Sequence, residues 1–425
     1  KLDCSAPDSI EELIRRGRDF IEENKIPKGA WVLGRGWNEA FFKEKRALNR
    51  EDLDRISGEH PIILTRICEH IVAVNTKALE AADITADTPN PNGGEIERDA
   101  DDRPTGILKE TARYLAYESV PQTSVEDIKG MLAKAAAKAS SYGITSVQTD
   151  DFETFSDKNW RKVLQAYNEL LKENRLKVRI YEQCLLPDIG RLREFLSEGY
   201  ITGSGNEFLK IGPLKLLTDG SLGGRTAFLR EPYCDKPDTR GIPVFTQDEL
   251  DRLIITAHTG GMQIVCHAIG DGAIDMVFES MDKAQKAKPD GNARMGMIHV
   301  QITDREILEN FRRKNILAYI EPICMAADLH IAEERVGARR LAGSYNYRTL
   351  YDLGVMTPMS SDCPVDSLNP MDSFYVGVNR KDLAGTPTEG WMPEECLTVE
   401  QMLEGFTMRS AYASFEEKIK GSLEE

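Results

Sequence analysis

The sequence of 425 residues lacks the features that mark membrane-spanning, secreted and nucleic-acid-binding proteins. No apolar run approaches the roughly 20 residues that a membrane-spanning helix needs, and no signal-peptide pattern stands at the first residues. Basic residues are in the minority, 54 against 70 acidic ones, and a net charge of −16 argues against an anionic partner. We therefore expect a small-molecule substrate and neither nucleic acid nor membrane as partner.

Cysteine is present without the pattern of a disulfide protein. The eight cysteines are scattered along the chain, with no CxxC pair and no compact framework. Several lie within apolar runs, as free thiols of a protein core do. We therefore expect a reducing compartment, the cytoplasm.

From about residue 140 onward, short apolar segments alternate with amphipathic helices at the roughly 30-residue spacing of a βα unit. Such alternation predicts an α/β fold, a parallel sheet covered by helices on both faces. Thr246 and Thr303 are the predicted N-caps of two of these helices. Seven strands are predicted, around residues 143–148, 176–186, 211–220, 263–267, 294–301, 316–322 and 355–364. A closed (β/α)₈ TIM-like barrel has eight, so one strand is missing or hidden.

Residues 1–140 do not follow this alternation. Their apolar runs are interrupted by glycine and aromatic residues, and residues 88–106, "TPNPNGGEIERDADDRPTG", form a turn-rich loop. We interpret residues 1–140 as a separate α+β subdomain and residues 141–425 as the barrel. The segment "PIILTRI" (61–67) is open to two interpretations, the missing first barrel strand or part of the subdomain.

Four polar residues fall at or near the ends of predicted strands: Lys215, His267, His299 and Asp362. The carboxyl ends of parallel barrel strands meet at one rim, where active sites lie. Two imidazoles and a carboxylate suit Zn²⁺ or a similar divalent ion, and the carboxylate can take the proton from an activated water. A lysine between apolar neighbours can be converted by CO₂ into an anionic carbamate that binds metal. These residues therefore predict a metal site for hydrolysis.

Each of these residues also has a purely structural interpretation. A single histidine at a strand end is more often a hydrogen-bonded core residue, and a single "SSD" is more often a turn or a helix cap. The four residues in strand register together favour the metal site. For His70, in "ICEHIVAVN", two interpretations stay open: the side chain lines a pocket, or it packs in the protein interior.

The segments around these residues resemble the amidohydrolase superfamily, and within it the amidohydrolase-3 type, the YtcJ-like and exoenzyme-regulatory-protein-like group. The matching segments are "LKLLTDGSLGGRTAFL", "QIVCHAIGDGAID", "IHVQ", "ADLHIAEERVG" and "PMSSDCPVDSLNP". Segments of the first 140 residues match too, namely "GRGWNE", "TRICEHIVAVN" and "PTGILKE". The resemblance thus spans nearly the whole chain, and it implies a (β/α)₈ barrel.

The resemblance also implies roles for individual residues. In the family, metal is bound by a lysine of strand four (often carboxylated), histidines of strands five and six and an aspartate of strand eight. The corresponding residues here are Lys215, His267, His299 and Asp362, and Asp362 would also be catalytic. The loop "DGSLGGRT" would cover the substrate. Its candidate substrate contacts are Asp219 and Arg225, and His70 is a third candidate.

The sequence departs from the family in one respect, because it contains no His-x-His pair, which opens barrel strand one in the family. It also lacks the strands of a small terminal β-sandwich and begins at Lys1. We interpret the chain as truncated at both ends, with residues 1–140, "PIILTRI" included, inserted between barrel strands one and two. We expect metal binding in this chain to be weak or absent, activity to be low and Lys215 to be uncarboxylated, whereas the full-length protein binds one or two ions.

The function that these expectations favour is a metal-dependent amidohydrolase. It would hydrolyse a C–N bond (a non-peptide amide, an N-acyl group or a cyclic amide) with a metal-activated water. Two alternatives stay open: a non-catalytic or regulatory small-molecule-binding protein on the same barrel, and a metal-dependent esterase or lactonase. Exposed strand edges also make a homodimer an expectation.

Overall fold

The computed structural model describes residues 1–423 and divides into two compact units, Lys1–Gln122 and a second unit that begins at Thr123. The division falls one helix earlier than the predicted boundary at residue 140. Helix Val125–Ser141 belongs to the second unit because it packs against helix Trp160–Lys172. The place of the first unit between two barrel strands stays a prediction.

The first unit contains a six-stranded sheet in the order β1-β2-β3-β4-β6-β5, parallel from β1 to β3 and antiparallel from β3 onward. Its strands are β1 (Leu2–Asp3), β2 (Val32–Trp37), β3 (Ile62–Arg66), β4 (Ile71–Val74), β5 (Gly94–Arg98) and β6 (Pro104–Glu110). Its helices are α1 (Ile10–Glu23), α2 (Arg50–Asp54), α3 (Thr76–Ala81) and α4 (Ala112–Tyr117).

The segment "PIILTRI" forms the centre of this first sheet. Its strand β3 pairs with β2 and β4, so it is not a strand of the second unit's sheet. Ile62 and Leu64 pack into one apolar cluster and Ile63 into another, on the opposite face. Burial on both faces explains why the strand has an uninterrupted apolar sequence.

The second unit contains a sheet of six parallel strands that neighbour one another in chain order. They are β7 (Ser146–Thr149), β8 (Arg179–Leu185), β9 (Leu209–Leu217), β10 (Ile264–Ala268), β11 (Gly296–His299) and β12 (Leu317–Tyr319). Six of the seven predicted strands are thereby confirmed, and with their helices they form an α/β half-barrel.

The seventh predicted strand, residues 355–364, is reduced to one parallel bridge between Ile320 and Met359. Backbone hydrogen bonds to β12 and Ile320 hold this segment beside the sheet. Pro358 and Pro364 have no N–H to donate, so a regular ladder cannot extend through it. Residues 1–423 therefore show a half-barrel, not the closed eight-stranded barrel.

Helices follow the strands of the second unit and cover the sheet. The helix after β9 begins at a capping box of Thr246 and Glu249, as predicted. The helix after β11 is capped by Asp304 and not by the predicted Thr303, because the Asp304 carboxylate accepts the N–H of Ile307.

The helices of the second unit, with a π-helical turn (Gly405–Arg409) before the last, are α5 (Val125–Ser141), α6 (Trp160–Lys172), α7 (Ile189–Ser197), α8 (Gln247–Thr259), α9 (Asp271–Ala287), α10 (Arg305–Arg313), α11 (Met325–Asp328), α12 (Ala332–Leu341), α13 (Tyr347–Asp352), α14 (Pro370–Asn379), α15 (Val399–Glu404) and α16 (Ser410–Ala413). Within residues 1–423, no helix combines the length and the apolar character that crossing a bilayer requires.

Candidate active site

Lys215 on β9 and His267 on β10 point to the inner face of the half-barrel. The register pairs Lys215 with Val265, two residues before His267, so side-chain alternation puts all three on one face. Val265 and Ile298, the β11 partner of His267, belong to a small apolar cluster separate from the main core that the helices share. Both polar side chains are buried, Lys215 with 6% and His267 with 2% of its surface exposed.

His299 reaches the same place by a different route. The register sets it opposite Ala268, whose side chain lies in the main core under the helices. Regular strand geometry would therefore turn His299 toward the helices. Instead its φ is +75°, in the left-handed region, and its ring packs edge-on against His267 with ring centroids 4.4 Å apart. Such backbone strain in a non-glycine residue is typical of functional sites.

Contacts behind the ring fix the orientation of His267. Its Nε2 hydrogen-bonds to the carbonyl oxygen of Gly220 at 3.1 Å and lies 3.2 Å from Oδ1 of Asp219. A bond to a carbonyl oxygen requires the proton on Nε2, so Nδ1 carries the lone pair of the neutral ring. The structure thus selects the tautomer in which Nδ1 has the ligand electron pair.

Asp219 supports the position of His267 from behind the ring. Its side chain is completely buried, and it accepts the backbone N–H groups of Phe228, Ile269 and Gly270. The contacts that the structure shows for this carboxylate are with His267 and with backbone N–H groups, and its contact with substrate stays a prediction. The sequence could not distinguish the two roles, because both place an aspartate directly after the strand.

Two residues that sequence reasoning missed, Glu321 and Cys324, join the site after β12. Oε2 of Glu321 contacts Nδ1 of His299, and Ser360 donates a hydrogen bond of 2.8 Å to Oε1. The thiol of Cys324 lies 3.9 Å from Oε2. Glu321 is the second residue beyond the end of β12, so the strand-end rule that selected the histidines could also have found it.

These residues form a compact group with Asp362. His299, Glu321, Cys324 and Asp362 each offer one ligand atom, and all four atoms lie within 4.8 Å of one another. Asp362 follows the Met359 bridge and is the only partly exposed member. Its φ of +52° is, like that of His299, in the left-handed region.

The two carboxyl groups of this cluster have pKa values shifted in opposite directions. Burial and then the neighbouring Glu321 charge raise the pKa of Asp362 well above its ordinary value, against the effect of Lys215. Burial would also raise the pKa of Glu321, but the adjacent His299 and the Ser360 hydroxyl outweigh it, so this pKa is lowered. The two neighbouring carboxyl groups thus differ in their affinity for protons, an arrangement typical of acid–base sites.

Lys215 completes the set of residues predicted to bind metal. Its Nζ lies 4.0 Å from Oδ2 of Asp150, which directly follows β7. The lysine also acts electrostatically on Glu321 and Asp362. The structure therefore brings all four predicted residues to one region, together with Glu321 and Cys324.

Comparison with known proteins identifies the relationship. A family model described as "Amidohydrolase family" matches residues 1–425, the whole chain. The chain belongs to the amidohydrolase family. It is accordingly a hydrolase of the class that acts on carbon–nitrogen bonds other than peptide bonds.

This amidohydrolase matches its relatives over most of their length. The putative amidohydrolase YtcJ of Bacillus subtilis (strain 168) is 32% identical over 428 residues, which are 100% of this chain and 78% of YtcJ. The N-substituted formamide deformylase of Arthrobacter pascens is 25% identical, over 100% of this chain and 77% of its own. The crystal structure of an uncharacterized metal-dependent hydrolase from Pyrococcus horikoshii OT3 is similar with a TM-score of 0.74 and 27% identity, covering 99% of this chain and 79% of that one.

The other two predicted substrate contacts of this amidohydrolase each bind a carboxylate that is not a member of the cluster. Arg225 pairs with Asp235, its Nη2 2.6 Å from Oδ2, and Arg335 binds the same carboxylate. His70 belongs to the first unit, where its Nδ1 donates to Oε2 of Glu110 at 2.7 Å. Both side chains are held by carboxylates, and their contact with substrate stays a prediction.

Proposed function

We propose that this amidohydrolase hydrolyses a non-peptide amide, an N-acyl or a cyclic amide bond of a small molecule with the help of a divalent metal ion. One observation carries the proposal: two imidazoles with ring centroids 4.4 Å apart meet at the end of a parallel sheet. Asp362, the glutamate after β12 and Lys215 surround them. The closed (β/α)₈ barrel, with this rim as its active face, is our proposal for the architecture.

The residues present fit a divalent ion, for which we propose zinc. Imidazole nitrogen and carboxylate oxygen are ligands of Zn²⁺, and His267, His299 and Asp362 supply them. Lys215 would join as a carbamate, an anionic group in place of a cation. When bound, the ion would polarise the substrate carbonyl and lower the pKa of a water molecule. The neighbour from Pyrococcus horikoshii, described as metal-dependent, supports this proposal.

Asp362 is the proposed proton carrier. Hydrolysis of a C–N bond removes a proton from water and delivers one to the departing nitrogen. A carboxyl group whose pKa is raised can hold that proton between the two steps, because its affinity for protons lies nearer the working pH. Glu321, with its lowered pKa, stays charged beside it and favours the protonated form of Asp362.

The substrate class that we propose is an N-acyl compound. The relative from Arthrobacter pascens is named for an N-substituted formamide, the simplest N-acyl amide. An ester or lactone presents the same carbonyl to the site, so it is the competing substrate class. A cytoplasmic location and a homodimer stay predictions, and the eight cysteines, all within residues 1–423, form no disulfide with one another, which agrees with a reducing compartment.

The experiment that tests the function is a substrate panel with zinc-supplied protein. N-formyl and N-acetyl amines, cyclic amides, esters and lactones are each incubated with the protein before and after chelation. We expect amine release from an N-acyl compound, lost with the chelator and in His267→Ala, and retained in His60→Ala, a matched change in the first unit. Cleavage of esters alone would replace the amide reaction with an esterase, and turnover that survives complete metal removal would contradict the metal proposal.

A further inference from the structure

The cluster around His299 contains a thiol that the proposed metal site does not use. His299, Glu321 and Cys324 are buried, with 6%, 3% and 8% of their surfaces exposed. Their ligand atoms and that of Asp362 lie within 4.8 Å of one another. A nitrogen, two oxygens and a sulfur gathered in this way match the ligand types of a zinc site.

One atom of this cluster, Nδ1 of His299, is buried without a hydrogen bond within residues 1–423, whereas Glu321 accepts hydrogen bonds from Ser360 and from the Cys324 thiol. Oε2 of Glu321 touches this nitrogen. The nitrogen does not direct a proton at that oxygen. A buried polar atom without a hydrogen bond is unfavourable unless a ligand satisfies it. The contact therefore brings two possible ligand atoms to one position.

We propose that Cys324 is a metal ligand and that it binds one divalent ion together with His299, Glu321 and Asp362. This inference rests on the proposed function and changes the ligands of its ion: Glu321 and Cys324 join His299 and Asp362 in place of His267 and Lys215, and the reacting water would enter as a fifth ligand. Zinc bonds of about 2.0–2.3 Å put tetrahedral ligand atoms roughly 3.3–3.6 Å apart. From separations within 4.8 Å, the ligand atoms reach this geometry by shifts of about 1 Å, inward for the widest pairs and apart for His299 and Glu321, which already touch. On binding, the S–H bond breaks, the sulfur keeps the electron pair as a thiolate, and the proton leaves to solvent.

Two consequences follow for this chain. Thiolate sulfur favours Zn²⁺, Co²⁺ and Cd²⁺ over Mg²⁺ and Ca²⁺, which prefer oxygen ligands. Four ligands from one short region, residues 299–362, would also hold an ion without the His-x-His pair. Metal binding would then be tighter than the weak binding that the sequence led us to expect.

Cobalt substitution tests the thiolate directly. The metal-free protein is titrated with Co²⁺, and we expect one equivalent to produce the visible bands of four-coordinate cobalt and a near-ultraviolet sulfur-to-cobalt charge-transfer band. Cys324→Ser should lose the charge-transfer band. Cys363→Ser, which changes the exposed thiol next to Asp362, should keep it.

The outcomes separate this inference from the function on which it rests. Bound cobalt without a charge-transfer band in the unmodified protein overturns the thiolate ligand and leaves the metal-dependent hydrolase standing. A band that disappears in Cys363→Ser and persists in Cys324→Ser assigns the sulfur elsewhere and also overturns it. If no cobalt binds, both proposals fail. Should Cys324→Ser not fold, X-ray absorption of the zinc-loaded unmodified protein decides, since a sulfur neighbour at about 2.3 Å is required.

Discussion

Both units of the molecule bury a histidine beside a glutamate, His70 with Glu110 in the first and His299 with Glu321 in the second. In the first pair, Nδ1 donates to the carboxylate at 2.7 Å, and the backbone N–H of Glu110 donates to the His70 carbonyl oxygen at 2.8 Å. This pair closes the ladder between β4 and β6. In the second pair the same two side chains touch without a hydrogen bond.

The surroundings explain the difference between the pairs. Cys324 and Asp362 bring two more ligand atoms to the second pair, and His267 packs against its imidazole. Backbone geometry does not separate the pairs, because φ is positive at His299 in the second pair and at Glu110 in the first. A buried His–Glu pair therefore does not by itself identify a functional site; the additional ligand atoms around the second pair do.

The largest expected effect is on catalysis in the second pair. His299→Ala removes a ligand and should lower kcat/KM by about a thousandfold or more, roughly 4 kcal/mol of transition-state stabilisation. His70→Ala should lower it far less, because the first pair has a structural hydrogen bond. Steady-state kinetics of the two variants on one substrate make the measurement. Equal losses would show that the two pairs have the same role.

Substitution of the two glutamates should change metal affinity by a smaller factor than substitution of the histidines changes kcat/KM. Glu321→Gln keeps the shape of the side chain but removes the charge beside His299, and we expect metal affinity to fall about 10–100-fold, as for other groups that support a metal site. Glu110→Gln is the matched control and should leave metal affinity within a few-fold. Competition with a chromophoric chelator measures both. If Glu110→Gln lost more metal affinity than Glu321→Gln, the metal site could not lie at the ends of β11 and β12.

Asp362 should lower the free energy of unfolding of the metal-free protein at neutral pH, although activity depends on it. Its raised pKa means that the folded protein keeps a proton that the unfolded chain has released, so the free energy of unfolding falls as pH rises above the ordinary aspartate pKa. In metal-free protein at pH 7, Asp362→Asn should therefore raise the Tm while activity of the metal-loaded protein is lost. Thermal unfolding between pH 4 and 8 checks the sign. A Tm that falls at neutral pH would contradict it.

The smallest effect is expected on the stability of the first pair. Glu110→Gln weakens the hydrogen bond to His70 and should lower the free energy of unfolding by about 0.5–1.5 kcal/mol, the usual net contribution of one such bond. Urea denaturation of this variant, with Glu95→Gln at the sheet's edge as a control, gives the number. An unchanged midpoint would show that the ladder contacts alone hold β4 and β6 together.

The sequence determined the elements that depend on local pattern. Alternating apolar and amphipathic segments identified β7 to β12 and their parallel order, because helix and strand periods are local properties of the chain. The strand-end rule also selected Lys215, His267, His299 and Asp362, and the structure brings these residues together. The boundary at residue 140 was less accurate, since helix α5 has no local signal for the unit it packs against.

Only the tertiary structure decided the contacts that make these residues a site. The burial of Asp219 behind His267 and the approach of Asp362 to His299 join segments far apart in the chain, and the left-handed backbone of His299 turns its ring toward them. Sequence spacing shows where a strand ends, but not how the backbone turns beyond it or which side chain lies across the rim. Packing fixes both, because each side chain takes the position that its neighbours from other strands leave to it.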